Sequence, residues 1–269
     1  MTTSKEMNPT SRERVERIVV ALDTSPSSLT ALRVAAQLAA QLQAELHGLF
    51  VEDANLLRLC ALPFGQEVGL VSATPRRLES RNLERQLRAL ALSLQQAMAR
   101  VADPMHVRWS FQVARGSVVD ELIAAAEDAQ LLSLGSHQRT PGSLLGAALS
   151  TLIQQARRPV LITGREGRLT RPFTLVYTGS ERAERALQLA IHLAQRTDQQ
   201  LTVVLPLNQD EAERASTRLS TLLADHGISA RFIQSQAIIA FERLEGTLIL
   251  PAEHADLLPR MTGPVIVVP

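Results

Sequence analysis

RIVVALDTSPSSLTALRVAAQLAAQLQAELHGLFV, residues 17–51, holds a complete strand, helix and strand signal. Arg17–Leu22 is a short β-branched apolar run that stops at Asp23-Thr24-Ser25-Pro26, a cluster of turn and N-cap residues. Leu29, Leu32, Ala35, Ala36 and Ala39 then recur at three- and four-residue spacing, which predicts a helix over 27–42 with one buried face. Leu46–Val51 reads as the second strand. A run of this length closes as a right-handed parallel crossover, so the chain is expected to be an α/β protein whose sheet is covered by helices.

The same alternation continues outward. Residues 107–113 supply a third strand, 116–129 a helix opened by Ser117, 131–134 a fourth strand, 144–156 a helix and 159–163 a fifth strand. The segment 52–75 carries Pro63, Gly65 and Gly69 but also Leu56, Leu57, Leu62 and Phe64, too apolar for a free linker, so it is expected to fold back. A long helix is predicted over 74–101, with Leu83, Leu87, Leu90, Leu94 and Met98 facing inward. The order is that of a doubly wound parallel sheet, whose ligand crevice lies at the carboxyl ends of the strands.

Residues 164–172 are polar and rich in Gly and Arg, as at a domain boundary. Beyond them FTLVYTGSERAERALQLAIHLAQRTDQQLTVVLP, residues 173–206, repeats the strand, cap, helix and strand of 17–51 in register. A repeat of this size means duplication. Two domains are therefore expected, 15–163 and a shorter one at 172–269.

Composition narrows the function. With 269 residues, 45% hydrophobic and 20% charged, the chain can bury two cores, and at 3% aromatic these must be built from Leu, Ala, Val and Ile. Twenty-eight basic against 27 acidic residues give no electrostatic case for a nucleic-acid partner. Cys60 is the sole cysteine, which excludes an internal disulfide or thiolate metal cluster and fits a reducing, cytoplasmic setting. Met1–Arg14 has no apolar signal-peptide core, and no run approaches a membrane span. There is no Cys and His pair, GxSxG elbow or P-loop, so no catalytic constellation is expected.

The strand ending in Asp23 with its Ser-Pro-x-Ser cap, the helix 31–40, the strand 46–51 and the block LLSLGSHQRTPGSLLGAALSTLIQQARRPVLIT from Leu131 form an ordered set. That set resembles the universal stress protein family over 15–163, and more loosely over 172–269. The resemblance implies two tandem doubly wound domains of the adenine-nucleotide alpha-hydrolase-like type, the second degenerate, with ATP, ADP or AMP as ligand. Nucleotide-binding members carry a glycine code after the fourth strand, which lets backbone N–H groups reach the phosphates ahead of a helix N-terminus. Gly135 matches its first glycine and Gly146 its last, while Gln138 stands in place of the second and Ala147 in place of a Ser or Thr, with a shorter segment between.

By the same resemblance Asp23 faces the sugar hydroxyls, the Val51 backbone meets the adenine, Ser136 and His137 donate to a phosphate, and Gly142 adds loop freedom. The residues alone leave other roles open: Asp23 as a helix cap, Gly135 as a turn glycine, His137 as a surface histidine. In the second half Gly179 is read at the place of Asp23, and no glycine cradle follows 247–250. PVIVV at 264–268 resembles PVLIT at 159–163, the strand through which family members dimerise, so these segments are expected side by side. The expected function is a non-enzymatic stress or regulatory protein that binds an adenine nucleotide in its first domain, with at most slow ATP hydrolysis. The alternative is a nucleotide-free scaffold for interaction or dimerisation, with a homodimer or another protein as partner.

Overall fold

The computed structural model describes residues 15–23, 25–61, 66–68, 75–77, 80–135, 151–164, 168–169, 171–197, 199–235 and 246–269. Its first element, β1 (Arg17–Leu22), is buried along almost its whole length, as expected of a parallel strand covered on both faces. Helix α1 (Pro26–Leu42) starts where Ser25 accepts a hydrogen bond from the Ser28 N–H and Pro26 fills the first turn, where a missing N–H costs nothing. It ends at Gln43, in the left-handed conformation. Its buried face alternates Ala31, Ala35 and Ala39 with Leu32, Leu38 and Leu42, and the small residues let the helix lie close to the sheet.

The chain continues through β2 (Glu45–Asp53), α2 (Ala54–Ala61), a small antiparallel pair β3 (Gln66–Val68) and β4 (Pro75–Arg77), then α3 (Ser80–Ala102). The third helix thus begins at Ser80 rather than at 74, because pairing with β3 holds Pro75–Arg77 extended. Next come β5 (Trp109–Gly116), α4 (Val118–Glu127), β6 (Leu131–Gly135), a helical stretch at 151–155 (α5) and β7 (Val160–Thr163). The rest of the chain forms β8 (Phe173–Val176), α6 (Glu181–Gln195), β9 (Gln200–Leu205), α7 (Gln209–Asp225), β10 (Ser229–Gln234), β11 (Thr247–Pro251), a 3-10 segment (Ala252–Arg260) and β12 (Val265–Val268).

Ten strands form one sheet in the order β10-β9-β8-β11-β12-β7-β6-β1-β2-β5. The order is a palindrome: from each outer edge to the middle, strands of the two halves follow the same doubly wound sequence. All neighbours are parallel except the central pair, where β12 runs antiparallel to β7 with Val265 opposite Ile162, Ile266 opposite Leu161 and Val267 opposite Val160. The two proline-led segments are therefore neighbours, as the sequence suggested, and the halves share a single sheet.

Two apolar layers cover the faces. One packs Ile18, Val20 and Leu22 with α1 and α3 and runs on through Leu161 and Ile266 to α6 and α7; the other packs Val19 and Ala21 with α4 and continues to Leu248 and Val267. Leu161 and Ile266 are both fully buried. Leu161→Ala is expected to cost about 2–5 kcal/mol, the usual range for emptying a core leucine site. Leu92→Ala, at a position 60% exposed, should stay within about 0.5 kcal/mol. Urea unfolding of the two variants checks the contrast.

Candidate functional site

Topology places a crevice before any side chain is considered. In the first half β1 lies between β2 and β6, and the crossovers leaving β1 and entering β6 go to opposite sides, so the carboxyl ends of β1 and β6 diverge there. Asp23 follows the last residue of β1. Gly135 ends β6, two residues past the Val20–Ser133 pair. Val51 lies one residue past the last β1–β2 pair, Leu22 with Phe50, where β2 runs on beside β5 alone, opposite Ala114. Three of the residues singled out in the sequence thus meet at one end of adjacent strands. Ser136, His137, Gly146 and Ala147, with Gln138 and Gly142, lie outside the described residues.

Asp23 is half-buried and its carboxylate holds the start of α1. Its Oδ1 accepts from the Ser25 N–H at 2.9 Å and the Ser25 hydroxyl at 2.5 Å, and its own N–H donates to Ser28 Oγ at 2.9 Å. Ser25 is the residue that caps the helix, and Asp23 orients that cap. A negative charge beside the first turn is also favoured by the helix dipole. Gly135 has a packing role: a Cβ on it would sit 2.6 Å from the carbonyl carbon of Ser27 and 2.9 Å from the Ser28 nitrogen. The strand end and the first turn of α1 touch backbone to backbone, which only glycine permits.

The Val51 side chain packs in the α4 layer. Beside it Glu52, 8% exposed, pairs with Arg115, whose Nε and Nη2 lie 2.9 and 2.8 Å from Oε2. Sequence reading missed this pair at the crevice rim. Its only signal was a charged residue closing an apolar strand.

The second half shows the same crevice closed. Strand pairings put Ile18 and Phe173 in equivalent positions, each opposite the leucine that is second in its neighbour, Leu46 in β2 or Leu201 in β9. Counting from there, Thr178, Pro206 and Pro251 occupy the places of Asp23, Val51 and Gly135. The reading of Gly179 at the place of Asp23 is corrected: Gly179, at φ 78°, matches the next position, and Ser180 caps α6 as Ser25 caps α1. Pro251 offers no N–H where Gly135 does. Glu253 accepts from the Ser180 hydroxyl at 2.5 Å and the Thr178 hydroxyl at 3.2 Å, and Arg182 lies 3.7 Å from its other oxygen. A carboxylate of the chain itself therefore sits at the N-terminus of α6.

Burial works to raise the Glu253 pKa, but the hydrogen bonds from Ser180 and Thr178 outweigh it and hold the group below its ordinary value. A second cluster joins Tyr177, Glu184 and Arg218. Both the Tyr177 hydroxyl and the Arg218 guanidinium reach Glu184 Oε1 at 2.5 Å, and the guanidinium lies 5.6 Å from the centre of the Tyr177 ring. Burial and the Glu184 carboxylate push the Tyr177 hydroxyl up to about 12. Among the described residues no group of three or more His, Cys, Asp or Glu is placed to hold a metal ion, and no helix is long and apolar enough to cross a membrane.

Gly135→Ala is expected to destabilise the protein by about 1–3 kcal/mol, the usual cost of overpacking, because the added Cβ meets backbone that cannot rotate away. Denaturant titration measures this. Glu253 has a folded-state pKa below its unfolded one, so its stabilisation is present above the ordinary carboxylate range and is lost as pH falls through the folded value. Tyr177 has the opposite sign: its contribution is present below pH 10.0 and is lost as pH rises towards about 12. In a pH series of thermal melts, Glu253→Gln should flatten the acid side, whereas Tyr177→Phe should flatten the alkaline side and, by removing the hydrogen bond that holds Glu184 below its ordinary value, part of the acid side as well.

Comparison with known proteins agrees with this architecture. The model of the universal stress protein family matches residues 14–164, more than half of the chain. A universal stress protein from Archaeoglobus fulgidus DSM 4304 aligns over 94% of this chain and 97% of its own at a TM-score of 0.72 and 16% identity. A functionally unknown protein from Pseudomonas aeruginosa PAO1 aligns over 96% of this chain and 94% of its own at a TM-score of 0.55 and 18% identity. Likenesses at such identities establish the fold alone. No curated protein matches the chain. From the doubly wound sheet and the family match together, the chain belongs to the universal stress protein family.

Proposed function

We propose that the chain is a non-enzymatic regulatory protein that binds an adenine nucleotide at the carboxyl ends of β1, β2 and β6. The observation that supports this most is the convergence of Asp23, Val51 and Gly135 at the point where the strand order reverses, the usual ligand position in such sheets. The carboxylate of Asp23 is suited to sugar hydroxyls and the end of β2 offers backbone groups to a base, while Ser136, His137, Gly146 and Ala147, which follow β6 in the sequence, are the residues the family pattern assigns to the phosphates. Gln138 and Ala147 replace a glycine and a hydroxyl of the family code, so recognition rests on the adenosine and AMP, ADP and ATP bind comparably. Hydrolysis, if any, is slow.

In this reading the chain consists of two domains, 15–163 and 172–269, and only the first takes a ligand. Glu253 and Pro251 support the restriction, since they fill the second crevice with a negative charge and remove an N–H. The protein is placed in the cytoplasm and acts through a protein partner or a second copy of itself. The nucleotide-free scaffold is the second reading, favoured by the structural work that Asp23 and Gly135 already perform at the start of α1.

Calorimetry with AMP, ADP and ATP tests the proposal. All three should bind within about threefold of one another. Asp23→Asn keeps an acceptor for Ser25 but removes the charge, and should weaken each by roughly tenfold, the value of about 1.5 kcal/mol for a hydrogen bond to a charged group. Absence of heat with every nucleotide, together with none released from the heat-denatured protein, would select the scaffold.

A further inference from the structure

At the opposite end of the strands from Asp23 and Gly135, a cleft of about 850 Å³ opens at the seam between the two halves. One wall is the end of α4 and the segment leading into β7; the other is one face of α6, carrying Arg185, Gln188 and Leu189, with the end of β12 between them. The floor is apolar, with Val15, Ala126, Leu189 and Val268 buried beneath it. The side chains lining it include three guanidinium groups, Arg157, Arg158 and Arg185, and one carboxylate, Glu127, while the main-chain end of Pro269 takes up Arg185. Arg185 is committed to Glu181 at 2.8 Å and to the Pro269 carbonyl at 3.0 Å. Arg158 donates to the Glu127 carbonyl at 3.3 Å. Arg157 has no protein partner among the described residues.

The fold by itself does not produce this cleft. The antiparallel seam relates Val160 to Val265, so Arg157 and Arg158 correspond to Thr262 and Gly263, and Pro269 corresponds to Gly164. At that related place the backbones touch: a Cβ on Gly164 would lie 1.9 Å from the Thr262 carbonyl oxygen and 2.6 Å from Gly263. One side of the seam is shut by glycines packed backbone to backbone. The other is held open and lined with arginine.

We infer that this seam cleft is a binding site for a small amphipathic anion, a single carboxylate or sulfonate head on an apolar body. Its volume falls in the range of ligand sites, which are mostly apolar with few convergent polar groups and favour the junctions between packed units. The head is met by Arg157 and Arg158, whose planar guanidinium groups match such an anion geometrically. The body lies on the apolar floor between α4 and α6. Because the floor belongs to both halves, a bound ligand would add to the cohesion of the seam.

The test is calorimetric titration of the full chain with decanoate, and with decylamine as the cation of equal apolar length. Decanoate is expected to bind saturably with one site, decylamine at least tenfold more weakly. Arg157→Glu/Arg158→Glu should lower decanoate affinity at least tenfold while the melting temperature without ligand stays near that of the parent. Gln188→Trp, which fills the cleft from the exposed face of α6, should block decanoate without reversing any charge. Nucleotide titrations should be unchanged in both variants, which separates this site from the crevice at Asp23. The inference is overturned if decanoate gives no saturable heat, if decylamine binds equally well, or if the charge reversal and Gln188→Trp leave decanoate affinity intact.

Discussion

The architecture hangs on the pairing of β7 with β12. Each half has a five-stranded parallel set whose terminal strand, left alone, would present unpaired N–H and C=O groups to solvent. Running antiparallel, the two strands satisfy each other and place Leu161 against Ile266 at the middle of the sheet. Both apolar layers then pass uninterrupted from one half to the other. The same geometry brings α4 and α6 to either side of the seam and so fixes where a cleft can open.

The first crevice shows how few atoms are needed to define a site and how closely they are tied to folding. Asp23 orients the capping serine of α1, and Gly135 lets that helix start directly against the end of β6. The consequence is a helix N-terminus brought down onto the strand ends near the divergence of β1 and β6. Asp23 and Gly135 each have a structural task there, so any effect of substituting them must be separated from loss of fold.

The second half keeps the same frame while losing the opening. Serine still caps the helix, but Glu253 meets that cap from the following 3-10 segment, and proline stands at the end of β11. An internal carboxylate has taken the position that an external anion would need. One half thus keeps the frame open and the other is self-satisfied, and the asymmetry repeats at the seam, shut by Gly164 on one side and open beside Arg157 on the other.

Much of this was legible in the chain itself. Hydrophobic runs, helical spacing and turn residues are local signals, and they placed β1, α1, β6, β7, β8, α6 and β12 nearly to their observed ends, with the repeat visible at residues 17–51 and 173–206. That Asp23, Val51 and Gly135 come together at one end of adjacent strands was legible through the family pattern, although the pattern alone did not separate the capping role of Ser25 from that of Asp23. Position in the second copy was harder: Gly179 and Thr178 were distinguished only by strand register, which depends on partners far along the chain. The direction of the β7–β12 pair, the arrival of Glu253 at Ser180, and the meeting of Arg157, Arg158 and Arg185 around one cleft carry no local signal at all. They join segments that are not neighbours in the chain, and only the packing of the whole sheet determines which of those segments touch.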